Sequence, residues 1–153
     1  MQTKNGADEA MYGFVGCTVR QFMTRTVITV NRQTTMRELA ALFEKHDFNA
    51  FPVVEDGMLF GIISKFDFLR AFAFTTGQVV PHYNELMSRS TSEVMTEAVV
   101  HVESISPLTR VLQLMVNLKA RSFPVVSVSG QLEGMISRED VIRALKETTQ
   151  ESG

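Results

Sequence analysis

Residues 61–67 read GIISKFD, and residues 134–140 read GMISRED. Each stretch is a glycine, two apolar residues, a serine and, three places on, an aspartate. The serine and aspartate are spaced so that a helix starting at the serine brings both onto its first turn. Read outward from this pair, the likeness continues. Met23-Thr24 returns as Met95-Thr96, Val27-Ile28-Thr29-Val30 as Val99-Val100-His101-Val102, and Phe51-Pro52-Val53-Val54 as Phe123-Pro124-Val125-Val126, all at an offset of 72. From Gly57 and Gly130 onward the offset is 73, so one residue was gained in the turn that precedes those glycines. A turn tolerates such a change best. The chain is an internal repeat, and that decides its organisation.

Each copy predicts the same elements. A short β-branched strand (VITV; VVHV) is followed by a helix with apolar residues at helical spacing: Met36, Leu39, Ala40 and Phe43, then Leu108, Val111, Leu112 and Met115. Thr34 or Thr35 opens the first helix, and Ser106 before Pro107 opens the second. Two strands joined at Asp56-Gly57 or Ser129-Gly130 come next. A closing helix begins near Ser64 and Ser137. The unit is β-α-β-β-α, about sixty residues. A unit of that size buries only ~60% of its chain surface and is marginal alone. The expected fold is therefore α/β (α+β), two repeats packed with pseudo-twofold symmetry into one module. The boundaries are a tail over 1–17, repeats over 18–74 and 91–147, a connection over 75–90 and a tail over 148–153. The connection holds Gly77, and Pro81 is expected to start a short helix, PHYNELMSR.

The 153 residues are 44% hydrophobic and 21% charged with a net charge of −2, which suits a globular protein and gives no basic footprint for nucleic acid. The uncharged run from Ala71 to Asn84 is broken by Gly77 and Pro81, short of the roughly 20 apolar residues of a membrane span. MQTKNGADEA has no apolar core and does not resemble a signal peptide. One cysteine, Cys17, excludes an internal disulfide, and a cytoplasmic location is the default.

Met-Thr, Phe-Pro-Val-Val and Gly-h-h-Ser-x-x-Asp (h apolar), each present twice and in register from about Thr18 to Leu145, resemble the cystathionine-β-synthase (CBS) domain; the pair resembles a tandem CBS pair, or Bateman module. The resemblance implies a ligand with an adenine group, AMP, ADP, ATP or S-adenosylmethionine, in two clefts between the repeats. It places Asp67 and Asp140 at the ribose hydroxyls and Ser64 and Ser137 at ribose or phosphate. Val27, Phe51 and Pro52 would flank adenine in one copy, with Val99, Phe123 and Pro124 in the other. Three places before the proline, where the family often has a basic residue toward phosphate, stand Asn49 and Arg121. It further implies a homodimer formed through the helices, read by a partner protein of unknown identity.

The chemistry suits these residues. An ionised aspartate accepts from both vicinal hydroxyls of a ribose, and a helix start directs N–H groups at phosphate oxygens. Lys65 and Arg138, next to the serines, add positive charge. Arg121 offers a bidentate fork that Asn49 lacks, so the Arg121 copy is expected to hold a phosphorylated ligand more tightly. Against this stands a plain helix cap, since Ser-x-x-Asp is also a capping-box pattern. Two features favour the ligand. The usual capping partner is Glu or Gln, and both copies follow a glycine whose missing side chain admits a close neighbour.

Other chemistry has less to support it. His46, His82 and His101 are scattered, so no metal site is expected. Cys17 reads as a small buried residue, and no phosphate-binding loop ending in Lys-Ser/Thr exists. Nine methionines fall mainly on apolar positions. Phe66, Phe68, Phe72 and Phe74 crowd one helix, which predicts deep burial or a subunit interface. The expectation is a stand-alone, non-enzymatic sensor module that requires no cofactor. The alternative is a constitutive dimerisation or scaffold module without a specific ligand.

Overall fold

The computed structural model describes residues 13–73 and 82–151. Gly77, Pro81 and Phe74, and the tail before residue 13, lie outside the described residues. The chain forms two compact units, one spanning Ile28–Val99 and the other joining the residues up to Val27 with those from Val100 on. We call them the first-hairpin and second-hairpin units.

The first-hairpin unit contains α2 (Met36–Lys45), β1 (Ala50–Glu55), β2 (Met58–Ser64), α3 (Lys65–Ala73), α4 (Tyr83–Met87) and α5 (Thr91–Val94). Helix α2 begins with a capping box: Glu38 N–H donates to Thr35 Oγ1, and Thr35 N–H donates to Glu38 Oε1. It ends at His46. β1 and β2 pair antiparallel through a two-residue turn whose residues Asp56 and Gly57 both have positive φ, 52° and 80°. That is the hairpin turn whose twist matches the strands. Val30, Met36, Leu39, Phe51, Val53, Ile63 and Met87 form the buried core.

The second-hairpin unit contains α1 (Val19–Phe22), α6 (Leu108–Leu118), β3 (Ser122–Val126), β4 (Leu132–Ser137) and α7 (Arg138–Glu151). Its core is Phe14, Val19, Leu108, Val111, Phe123, Val125, Ile136 and their neighbours, with Cys17 buried among them. The hairpin is longer here. Ser127 N–H donates to the Gln131 carbonyl, and Gly130, at φ 92°, donates to the Ser127 carbonyl. Ser129-Gly130 thus sits inside a wider loop rather than repeating the two-residue turn.

Two expectations are corrected. VITV and VVHV are not strands: only Val30 and Val102 pair, as single parallel bridges to Val53 and Val125. Their partners are the Pro52 and Pro124 carbonyls with the Val54 and Val126 N–H groups, so the ladder asks no donor of the prolines. Ser106 does not cap α6. Pro107 holds the N-cap position, and Ser106 Oγ instead accepts from Glu103 N–H. Helix α3 is partly buried: Phe68 and Phe72 pack on the core while Phe66 and Leu69 are 69% and 64% exposed, so of the two alternatives for this helix deep burial does not hold.

The larger departure concerns which segments share a unit. Thr24, near the start of the first copy, exchanges backbone hydrogen bonds with Met135 of β4, and Thr96, near the start of the second copy, does the same with Ile62 of β2. The lead segments are exchanged. Each hairpin therefore carries a parallel bridge on one edge and a borrowed antiparallel bridge on the other.

Candidate functional site

The two Ser-x-x-Asp turns sit where β2 passes into α3 and where β4 passes into α7. In the first, Ser64 N–H donates to Asp67 Oδ2 at 3.0 Å, and Asp67 N–H donates to Ser64 Oγ at 3.0 Å. In the second the same bonds, Ser137 N–H to Asp140 and Asp140 N–H to Ser137 Oγ, measure 2.9 and 3.2 Å. Both are complete capping boxes built with aspartate. The carboxylates are buried, Asp67 4% and Asp140 3% exposed. Burial of that kind demands partners, and each aspartate has an arginine one turn on. Arg70 Nη2 lies 2.9 Å from Asp67 Oδ1, and Arg143 Nη1 lies 3.1 Å from Asp140 Oδ1.

The glycine that opens each motif has its own explanation. A Cβ on Gly61 would stand 2.6 Å from the Thr96 carbonyl oxygen and 3.3 Å from Met95 Sδ. On Gly134 it would stand 2.5 Å from the Thr24 carbonyl oxygen and 3.4 Å from Met23 Sδ. The close neighbour that the missing side chain admits is thus the exchanged Met-Thr segment. Two of the three repeated motifs are the halves of one contact.

The units differ around this common frame. Thr96 Oγ1 donates to Asp67, at 3.2 Å from Oδ1 and 3.4 Å from Oδ2. Among the described residues, Asp140 accepts only from Ser137 and Arg143. Arg143 also donates to the Phe22 carbonyl at 2.8 Å, tying α7 to the end of α1.

Asn49 and Arg121 are brought to these helix starts by backbone: Lys65 N–H donates to the Asn49 carbonyl and Arg138 N–H to the Arg121 carbonyl, 2.9 and 3.0 Å. Both side chains are exposed. Arg138 turns away, its guanidinium donating to the Ala120 and Lys119 carbonyls at 2.8 and 3.1 Å, where it caps the end of α6. The rings of Phe51 and Phe123 are core groups, 1% and 3% exposed, and Pro52 and Pro124 are buried beside them. Those four leave little but backbone to a ligand. Val27 follows Thr24 into the second-hairpin unit, and Val99 follows Thr96 into the first, so each is parted from most of its own copy.

Sequence reasoning passed over Arg70 and Arg143, although Asp-x-x-Arg recurs at the same offset of 73. It also passed over Thr96 as a partner of Asp67. Among the described residues no His, Cys, Asp or Glu group is placed to hold a metal, and no helix is long and apolar enough to cross a membrane.

A family model of the CBS domain matches residues 19–74 and 92–147. The chain belongs to the CBS domain family. A CBS domain-containing protein of Dictyostelium discoideum is 30% identical over 133 residues, 83% of this chain and 90% of its own length. The chain spans less of other CBS relatives, 45% and 46% of two from Methanocaldococcus jannaschii. Among solved CBS structures, CBSX2 in complex with AMP has a TM-score of 0.74 at 27% identity, covering 86% of this chain and 98% of that one. The CBS domain pair of protein MJ0100, in complex with 5′-methylthioadenosine and S-adenosyl-L-methionine, has a TM-score of 0.68 at 25% identity, covering 83% and 98%.

Proposed function

We propose that this CBS pair is a cytoplasmic, non-enzymatic regulatory module. It binds an adenine nucleotide or adenosyl ligand, of the class AMP, ADP, ATP or S-adenosylmethionine. The observation that carries this is the joining of Arg121, Ser137 and Asp140 at the start of α7. Arg121 is an exposed guanidinium with the geometry for phosphate. The fourteen residues of α7 supply a positive helix end. Asp140 keeps acceptor capacity for ribose hydroxyls. The AMP on CBSX2 and the adenosyl ligands on the MJ0100 pair support the ligand class. Occupancy would be signalled through the shape of a homodimer to a protein partner. Within each unit by itself the closing helix exposes apolar residues, Phe66 and Leu69 on α3 and Ile142 on α7, which supports covering of each helix by another surface.

A second reading, a dimerisation module without a specific ligand, is favoured by the capping boxes themselves, which satisfy both aspartates within the chain. Thermal unfolding with each of the four ligands separates the two. A ligand at 100 times its Kd adds about 2.7 kcal/mol. The expected result is a rise in midpoint that, for a phosphorylated ligand, Arg121→Ala abolishes without lowering the unliganded midpoint. Asp140→Asn should lower both. If no ligand moves the midpoint and only Asp140→Asn destabilises, the second reading stands.

A further inference from the structure

Arg138, the first residue of α7, holds three consecutive carbonyls of the connection between α6 and β3. Its Nε donates to the Ala120 carbonyl at 2.8 Å and its Nη2 to the Lys119 carbonyl at 3.1 Å. Its backbone N–H donates to the Arg121 carbonyl at 3.0 Å. β3 begins at Ser122, so Arg121 is the last residue of the clamped connection. Arginine suits this task. Its planar fork presents N–H groups in fixed directions and bridges two carbonyls at once, which a lysine ammonium on a flexible stem does not.

The connection needs holding. Helix α6 ends in a left-handed residue, Lys119 at φ 54° and ψ 35°, and Ala120 N–H reaches back to the Met115 carbonyl at 3.1 Å. That closure usually takes glycine in the left-handed place, because a Cβ there crowds the backbone. A residue with a side chain stays in such a conformation only where its surroundings impose it. The Arg138 fork does so, since it fixes the two peptides that follow Lys119.

The first-hairpin unit shows the same frame without the fork. Lys65 replaces Arg138, and Asp47, Phe48 and Asn49 replace Lys119, Ala120 and Arg121. The backbone bond survives, from Lys65 N–H to the Asn49 carbonyl at 2.9 Å, but among the described residues the two side-chain bonds have no counterpart. Helix α2 ends instead in extended backbone at His46, φ −118° and ψ 140°, with no left-handed residue before β1. The arginine fork, the left-handed helix end and an arginine three places before the proline thus occur together in one unit. All three are missing from the other.

We propose that Arg138 is a positioning residue for Arg121. By clamping the connection over residues 119–121 it fixes the backbone from which the Arg121 guanidinium reaches a ligand's phosphate, and it does not itself pair with that phosphate. The inference rests on the adenosyl reading above. It adds that preference for a phosphorylated nucleoside over the bare nucleoside depends on a residue whose own guanidinium is engaged by backbone.

The experiment is calorimetry of the full chain with AMP and with adenosine, which lacks the phosphate. Arg138→Lys keeps the positive charge and removes the fork. It should weaken AMP about tenfold or more, as loss of a charged hydrogen bond implies, and leave adenosine as in the parent chain. Lys119→Gly, added to the Arg138→Lys chain, frees the left-handed helix end of side-chain strain and should recover AMP affinity. The inference is overturned if Arg138→Lys binds AMP as the parent does, since charge alone would then suffice. It is equally overturned if AMP and adenosine weaken together, or if Lys119→Gly restores nothing. A parent chain that binds neither compound defeats the adenosyl reading and this inference with it. AMP bound by the parent and kept by Arg138→Lys defeats this inference alone.

Discussion

Asp67 and Asp140 close the same capping box on the same kind of helix, yet their surroundings differ by one hydroxyl. Asp67 is held from three sides, by Ser64, Arg70 and Thr96, and the last ties it to the exchanged lead segment. Asp140 is held from two. A carboxylate whose lone pairs are already engaged must give up bonds before it can accept from a ribose, and Asp67 must give up more. With Asn49 beside Asp67 and Arg121 beside Asp140, both differences point the same way. Under the proposed function the Asp140 turn is therefore the better candidate for the ligand, and in both units the repeated motif closes a capping box.

The sharpest way to break the common frame is at the glycines. Gly61→Val or Gly134→Val places side-chain atoms against the Thr96 or Thr24 carbonyl, which neither a rotamer change nor a small shift relieves. Each should cost at least about 3 kcal/mol in urea unfolding, at the top of the overpacking range. A cost below about 1 kcal/mol in either would mean the exchanged segment does not press on that strand. Next in size is the aspartate pair. Asp140→Ala should cost about 1 kcal/mol as a lost cap. Asp67→Ala should cost about 2 kcal/mol, because it also frees the Thr96 hydroxyl. Adding Thr96→Val should bring the two units level, and equal costs in the parent chain would remove the asymmetry.

The smallest effect is confined to the first-hairpin unit. Arg32 grips Glu55 at 2.7 Å, and its guanidinium lies 4.1 Å from the centre of the Phe60 ring. The hydrogen bond from Arg32 lowers the Glu55 pKa from its ordinary value. A lowered folded value means the pair stabilises above the unfolded carboxylate range and stops doing so as pH falls through the folded value. Denaturation of the parent chain and Glu55→Gln should show a small gap at neutral pH that closes in acid. The second-hairpin unit has Ser104 and Ser127 at these positions and no such dependence there.

Much of this was legible in the residues. The offsets of 72 and 73 give the two copies, the Asp56-Gly57 pair gives a tight turn, and helical spacing gives the buried faces of α2 and α6. The capping boxes were legible too, because their bonds join residues three apart. These are local facts: a helix turn or a two-residue hairpin is specified by the residues that form it. Only tertiary structure decided that the glycine of one copy meets the Met-Thr of the other. No periodicity links residues that far apart, and a glycine does not say which neighbour it makes room for. The same cause explains VITV. β-branching marks a fit to a pleated surface rather than a partner, and here only Val30 reaches an edge. Nor does residue type reveal how Asp67 and Asp140 differ, since a carboxylate's free capacity depends on which distant hydroxyls and guanidiniums the fold brings to it.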